Sequence, residues 1–375
     1  MMQQSYSEPR RRRWPLVLVF LFLLAAGLWA GGWYYAAGKV DETIAGWKAR
    51  EARAGRVYSC SSQTVSGFPF QIQVRCADAG ADLKTNQPPV ALKAKDIWVT
   101  AQVWQPTVLT SEIVGPLMIG EPAQPPSLVA HWRHAQTQVH GLPIAPESAT
   151  ITLEDATVDR ASGIETQRLF QAKRTVLQGR LVQGSVTHNP VIEVVLKLVA
   201  GAAPSLHPVA AIPLDADVTA VLHGLKDFSP KPWPARFREL QAAGGRIDVT
   251  HARLQQGETL VVAVGALGLS LRGRLDGQLR LTVANLEKLL PALGLDKMAP
   301  QQAAPNRMTS ALDRLAPGLG NIARQNAGPA LVAGLAFLGQ PAEIEGRRAV
   351  MLPLRFSDGA VSLGPIPLGQ VPPLF

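Results

Sequence analysis

Two cysteines, seven histidines and a few closely spaced aspartates are the residues of this 375-residue chain with the most chemistry to offer. Cys60 and Cys76 lie in YSCSSQTVSGFPFQIQVRC, on either side of the turn formers Gly67, Phe68 and Pro69. Such a pair is either a structural disulfide or a redox couple, and the lack of a C-x-x-C spacing favours the bridge. A hairpin turn centred on Phe68 would place Cys60 opposite Cys76. On its second arm Phe70, Ile72, Val74 and Cys76 share one face, and Gln71, Gln73 and Arg75 the other. The disulfide would then clamp one half-buried hairpin.

The remaining candidates do not converge. His131, His134, His140, His188, His207, His223 and His251 are scattered, and HWRH, read as a strand, puts His131 and His134 on opposite faces. A zinc site needs three or four ligands meeting at one point, so no metal is expected. Asp155, Asp159 and Asp276 fall near turns, where carboxylates bond to local backbone. Asp215 and Asp217 share a strand face, which suits two coordinated carboxylates or simply a solvated surface. GALGLSLRG lacks the strand-turn-helix setting of a phosphate loop, and SVTHNP lacks a nucleophile elbow. The chain is therefore expected to be no enzyme, with no catalytic residue and no cofactor.

Compartment comes from the other end of the problem. Arg10, Arg11, Arg12 and Arg13 precede WPLVLVFLFLLAAGLWAGGWYYAAG, which carries no charge before Lys39. A bilayer core of about 30 Å needs roughly 20 apolar residues, and residues 14–37 supply them. A cleaved signal peptide shares this grammar, but its apolar core is shorter and ends in small residues. An uncleaved anchor is the expectation, with residues 1–13 cytoplasmic under the positive-inside rule. Arg11, Arg12 and Arg13 would mark the inner interface, and Trp29, Trp33, Tyr34 and Tyr35 the outer one. Residues 38–57 place Val40, Ile44 and Trp47 at helical spacing and read as a stalk helix.

Beyond residue 58 the period changes to two, with frequent Pro and Gly, as in antiparallel meanders. IPLDADVTAVLHGL sets Leu214, Ala216, Val218, Ala220 and Leu222 on one face. The proline-rich stretch KDFSPKPWPARF suggests a joint, dividing a β-rich region at 58–230 from a second at 231–375. In the latter a turn at Gln255 to Glu258 separates two strands, the second being Leu260 to Leu267; Leu275 to Val283 forms a third. A helix then starts after Asn285, with Leu286, Leu289, Leu290 and Leu293 at helical spacing. Further helices, whose apolar faces are expected to cap the sheet, are read in the segment from Met298 to Gly339, and SDG joins a closing hairpin between Phe356 and Ala360. The fold class is thus mainly β, an antiparallel curled sheet or groove with a few helices, behind one N-terminal transmembrane helix.

The basic start with a single span, the C-x(15)-C around GFPF, and the terminal SDGAVSLGPIPLGQVPPLF resemble the domain of unknown function 2125 family of Gram-negative envelope proteins. GGRIDV, GRLDGQLRLTVANLEKLL and DGAVSLGPIPLG are similar to the C-terminal parts of AsmA-like proteins. The resemblance implies an inner-membrane, single-pass protein whose bulk is periplasmic. It also implies a sheet with a groove for lipid acyl chains, serving envelope or outer-membrane homeostasis. The residues expected to face lipid are Leu214, Val218, Leu222, Val262, Val264, Leu279, Leu281 and Val283. An ordinary dry core has the same periodicity, and a structural or protein-interaction module of the envelope is the alternative. Net charge is +9, four units of it from the arginine block. The rest is unclustered, which argues against nucleic acid as a partner and fits either anionic headgroups or solubility.

Overall fold

The computed structural model describes residues 14–142, 144–162, 165–229, 231–285, 339–364 and 366–375. Expectations for Arg11, Arg12 and Arg13, for the helix after Asn285 and for the segment from Met298 to Leu338 lie outside these residues.

The apolar run and the charged stretch after it form a single helix, α1 (Trp14–Arg53). Arg50 and Arg53 in its last turn suit the negative end of the helix dipole. Gly55 then turns the chain at φ +78, and a Cβ there would meet the Thr85 side chain at 2.7 Å. The helix is long and apolar enough to cross a membrane, with none of its most apolar window buried. Strands β1 (Arg56–Ser59) and β2 (Ser62–Ser66) run back along it, both pairing with β3 (Gln71–Leu83).

From β3 the chain meanders through β4 (Val90–Gln102), β5 (Gln105–Val114), β6 (Leu117–Gly120), β7 (Leu128–His131), β8 (His134–His140), β9 (Ser148–Ser162), β10 (Glu165–Ser185) and β11 (His188–Gly201). After β12 (Leu214–His223) a loop and helix α2 (Trp233–Ala242) lead to β13 (Arg246–Gln256), β14 (Thr259–Leu269) and β15 (Leu275–Ala284). The chain closes with β16 (Gln340–Ile344), β17 (Arg347–Ser357), β18 (Ala360–Leu363) and β19 (Ile366–Gln370). Every pairing between these strands is antiparallel, so the expected mainly β class holds. β12 pairs directly with β13, so one sheet runs across residues 224–245. The Ser357–Asp358–Gly359 turn is a tight hairpin with positive φ at Asp358 and Gly359, as the sequence indicated.

Register corrects the first hairpin. Ser66 pairs with Gln73 and Gln63 with Cys76, so the turn is centred beyond Phe68. The Gln71 amide donates to the Gly67 carbonyl at 3.1 Å, which closes a longer turn than the one assumed. Cys60 lies in the break between β1 and β2, and its disulfide to Cys76 runs diagonally, with the Cα atoms 5.3 Å apart. HWRH is likewise a joint between β7 and β8 rather than one strand. Trp132 fills that joint, its Nε1 donating to the Ile113 carbonyl at 2.8 Å.

The bridge closes a loop of 16 residues at the start of the sheet. Replacing both cysteines by serine is expected to lower stability by about 3 kcal/mol, read as an earlier urea midpoint; equal midpoints would refute it.

Candidate functional site

In an antiparallel ladder, residues directly opposite each other project from the same face. Following the pairs from strand to strand therefore traces a face without further assumption. One row runs Val74, Val99, Ser111, Thr137, Ile151, Leu177, Leu196, Val218, Ala252, Ala263, Leu281 and Leu352. The next runs Ile72, Ala101, Leu109, Val139, Ala149, Gly179, Val194, Ala220, Val249, Gly265, Leu279, Leu354 and Leu363. The second row contains no polar side chain at all. On the reverse face the corresponding row reads Gln73, Thr100, Thr110, Gln138, Thr150 and Gln178.

How this apolar face is covered differs along the sheet. Near β15 and β17 it is closed: Val283, Leu352 and Leu363 are buried, with Leu281, Leu354 and Leu368 packed against them. Farther toward β9 and β10 two of its bulky residues are exposed, Ile151 at 38% and Leu177 at 39%, and Leu153, Leu181 and Val194 are half-buried. Ala135 and Ala252, on the same face, are buried. Among the described residues, short side chains on this face are thus sheltered by taller, more exposed neighbours.

A hollow on this face holds about 420 Å³, within the usual range for ligand sites. Its floor is Ala149, Ile151, Leu177, Gly179 and Val194, and its end wall is Leu181, Ile192, Val186 and Phe228. Two small residues side by side, Ala149 and Gly179, make the depression. A Cβ added at Gly179 would meet only the Ile192 side chain, at 3.9 Å, so packing does not demand glycine there.

Phe228 reaches the hollow on a strap between β12 and α2. The Phe228 amide donates to the Val186 carbonyl at 2.8 Å, and the Asn189 amide to the Lys226 carbonyl at 3.0 Å. An ionic cluster fixes the strap to the helix. Lys231 Nζ lies 2.6 Å from Glu239 and 3.1 Å from Asp227, and Arg236 Nη1 is 2.8 Å from Glu239. The Ser229 hydroxyl, then Lys231, hold the Asp227 carboxyl well below the usual carboxylate range against its desolvation. For Glu239, burial works to raise the carboxyl, but Lys231, the Lys226 amide and Arg236 together keep it low. The described residues of the proline-rich joint thus form a strap tied to α2.

Of the residues expected to face lipid, Leu214, Val218, Leu222, Leu279 and Leu281 lie on the apolar face. Val283 is on it too, but at 1% exposure it belongs to the closed core. Val262 and Val264 do not join them. They pair with Arg253, Thr282 and Arg280, which puts them on the reverse face. The stretch TLVVAVGALGL is apolar at both parities, so only the pairing decides its face. The hollow itself was missed, because Gly179 and Phe228 carry no pattern that marks them.

Trp33 also departs from its expected place among the interfacial rings. It is buried against the first hairpin, packing edge-on to Phe68 with Nε1 donating to the Gln71 carbonyl at 2.9 Å. Trp29 Nε1 donates to the Pro69 carbonyl at 3.0 Å, while Tyr34 and Tyr35 are exposed. Asp215 accepts from the Ala200 amide at 2.8 Å, and Asp217 lies 3.6 Å from Lys197. No group of three His, Cys, Asp or Glu that could hold a metal is found among the described residues.

A family model described as an uncharacterised protein conserved in bacteria, DUF2125, matches residues 33–372. The chain belongs to the DUF2125 family. That match begins at Trp33, where α1 meets the hairpin, and takes in the whole described sheet as far as β19. No curated protein matches the chain.

Because the folded carboxyls of Asp227 and Glu239 are depressed, their contributions are complete above the ordinary values of 3.8 and 4.5 respectively, and are lost as pH falls from there through the lower folded values. The protection factor of the Phe228 amide is expected to hold at neutral pH and to drop below pH about 4. In Asp227→Asn it should already be reduced at pH 7; an unchanged factor there would show that the cluster does not hold the strap.

Proposed function

We propose that this is a membrane-anchored, non-catalytic protein whose sheet binds lipid acyl chains along its apolar face, in the periplasm of a bacterial envelope. The observation that carries the reading is the row of directly paired apolar residues from β3 to β18, open and hollowed at Ala149 and Gly179. Acyl chains gain about 0.8 kcal/mol for each methylene they bury, and a face this long offers many such contacts in a line. Large exposed apolar surfaces mark interaction sites in soluble bodies. The loops at the ends of β2, β4, β8, β10 and β12 all lie at one end of the sheet, the end where α1 meets the hairpin at Pro69 and Gln71. The hollow, with Pro146, Val186 and Phe228 in its lining, lies toward that same end. The AsmA-like grammar of the C-terminal sequence supports the same reading, as does the apolar helix α1, whose basic N-terminal flank favours an inner-membrane anchor with the sheet outside.

The test uses the full chain in phosphatidylethanolamine and phosphatidylglycerol vesicles doped with a phospholipid bearing a mid-chain diazirine. Photolysis and peptide mass spectrometry are expected to place adducts on peptides containing Ile151, Leu177 and Val194 as well as on α1. Gly179→Phe, which fills the hollow, should cut the sheet adducts severalfold while the circular dichroism spectrum stays unchanged. Adducts confined to α1 in the unaltered protein would refute acyl-chain binding by the sheet.

A further inference from the structure

The span and the first hairpin cannot be separated along the membrane normal. The Arg10 to Arg13 block bars the bilayer core from extending before Trp14. Counting from Trp14 at 1.5 Å per residue, Trp29 stands about 22 Å along the helix and Tyr34 about 30 Å. The hydrocarbon core is itself about 30 Å thick. Even with the span placed as near the N-terminus as the sequence allows, Trp29 is still inside its last turns. Shifting the span toward Gly38 only takes Trp29 deeper.

Yet Trp29 donates to the Pro69 carbonyl, Trp33 to the Gln71 carbonyl, and Tyr34 stacks on Phe68 at 5.9 Å. The tip of the hairpin is therefore held at the level of the outer bilayer boundary. Its composition suits that level. Neither Ser66–Gln73 nor Gln102–Thr110 contains a charge. The two turns are joined by the Val103 amide donating to the Phe70 carbonyl at 3.0 Å, and Phe70 and Trp104 lie with ring centroids 5.9 Å apart. Phe68, Phe70 and Trp104 are 49%, 56% and 62% exposed, an unusual concentration of bare aromatic surface on one knuckle. Aromatic rings with a polar margin are favoured at headgroup depth.

We infer that the paired turns Gly67–Phe70 and Gln102–Gln105 form a wedge that inserts into the outer headgroup and acyl boundary of the bilayer that α1 spans. The wedge rests on the anchor reading of α1 and not on acyl binding by the sheet. It gives the body a second point of attachment beside the helix, so the sheet is held against the membrane rather than tethered above it.

A photoreactive diazirine amino acid placed singly at Phe70, Trp104, Phe20 and Asn86, in the full chain in vesicles of phosphatidylethanolamine and phosphatidylglycerol, tests this. Phe20 lies within the apolar run, and Asn86 in the β3–β4 turn at the opposite end of the sheet. Lipid adducts are expected at Phe20, Phe70 and Trp104, at least tenfold above Asn86. Adducts at Phe20 with none at Phe70 and Trp104 would overturn the wedge and leave the anchor standing. No adduct at any of the three would overturn both.

Discussion

Cross-strand pairing is the constraint from which the rest of this molecule follows. In a ladder of backbone hydrogen bonds, a side chain opposite an apolar neighbour must itself lie on the apolar side, so a face set in β3 passes to every later strand. The bulges at β12–β13 and β13–β14 take up extra residues without switching faces, since Val218 still meets Ala252 and Ala252 still meets Ala263. The reverse side keeps its glutamines and threonines in the same way. A meander of this length would ordinarily need a second layer over its greasy side. Among the described residues, the packed part of that side centres on Val283, Leu352 and Leu363, and toward β9 and β10 short residues shelter between longer ones.

The beginning of the sheet is treated differently from its middle. Bare edge strands invite pairing with other chains, and proteins cover them. α1 does this for β1 and β2 through contacts spaced along its second half: Trp47 with Tyr58 at 4.6 Å, Lys48 with Gln63 at 3.0 Å, and Gln63 with Asp41 at 2.8 Å. The disulfide and the Glu51–Arg56 pair secure the short β1–β2 edge where the chain leaves the helix. One helix thus serves as anchor and edge cover together.

Much of this was legible in the residues. Alternation marked the strands, SDG and the Gln255 to Glu258 turn marked hairpins, and two cysteines around a proline turn indicated their own bridge. What escaped was whatever depends on register. A shift of the first turn past Phe68 moves Cys76 opposite Gln63, and nothing local in GFPF announces it. The faces of Val262 and Val264 are ambiguous because their strand is apolar on both sides. Trp33 has the composition of an interfacial ring, and only docking of a hairpin 38 residues on shows that it is a packing residue. The hollow joins Gly179 to Phe228 across three strands and a loop, a distance no window of sequence spans.

The unbroken passage of α1 from apolar run to sheet edge has a mechanical corollary. Transmembrane helices answer a mismatch between their length and the hydrocarbon thickness largely by leaning. With Trp29, Trp33 and Lys48 fastened to the strands, leaning turns the whole body as one lever. In a bilayer spanned by α1, hydrocarbon thickness would thereby set the inclination of the sheet.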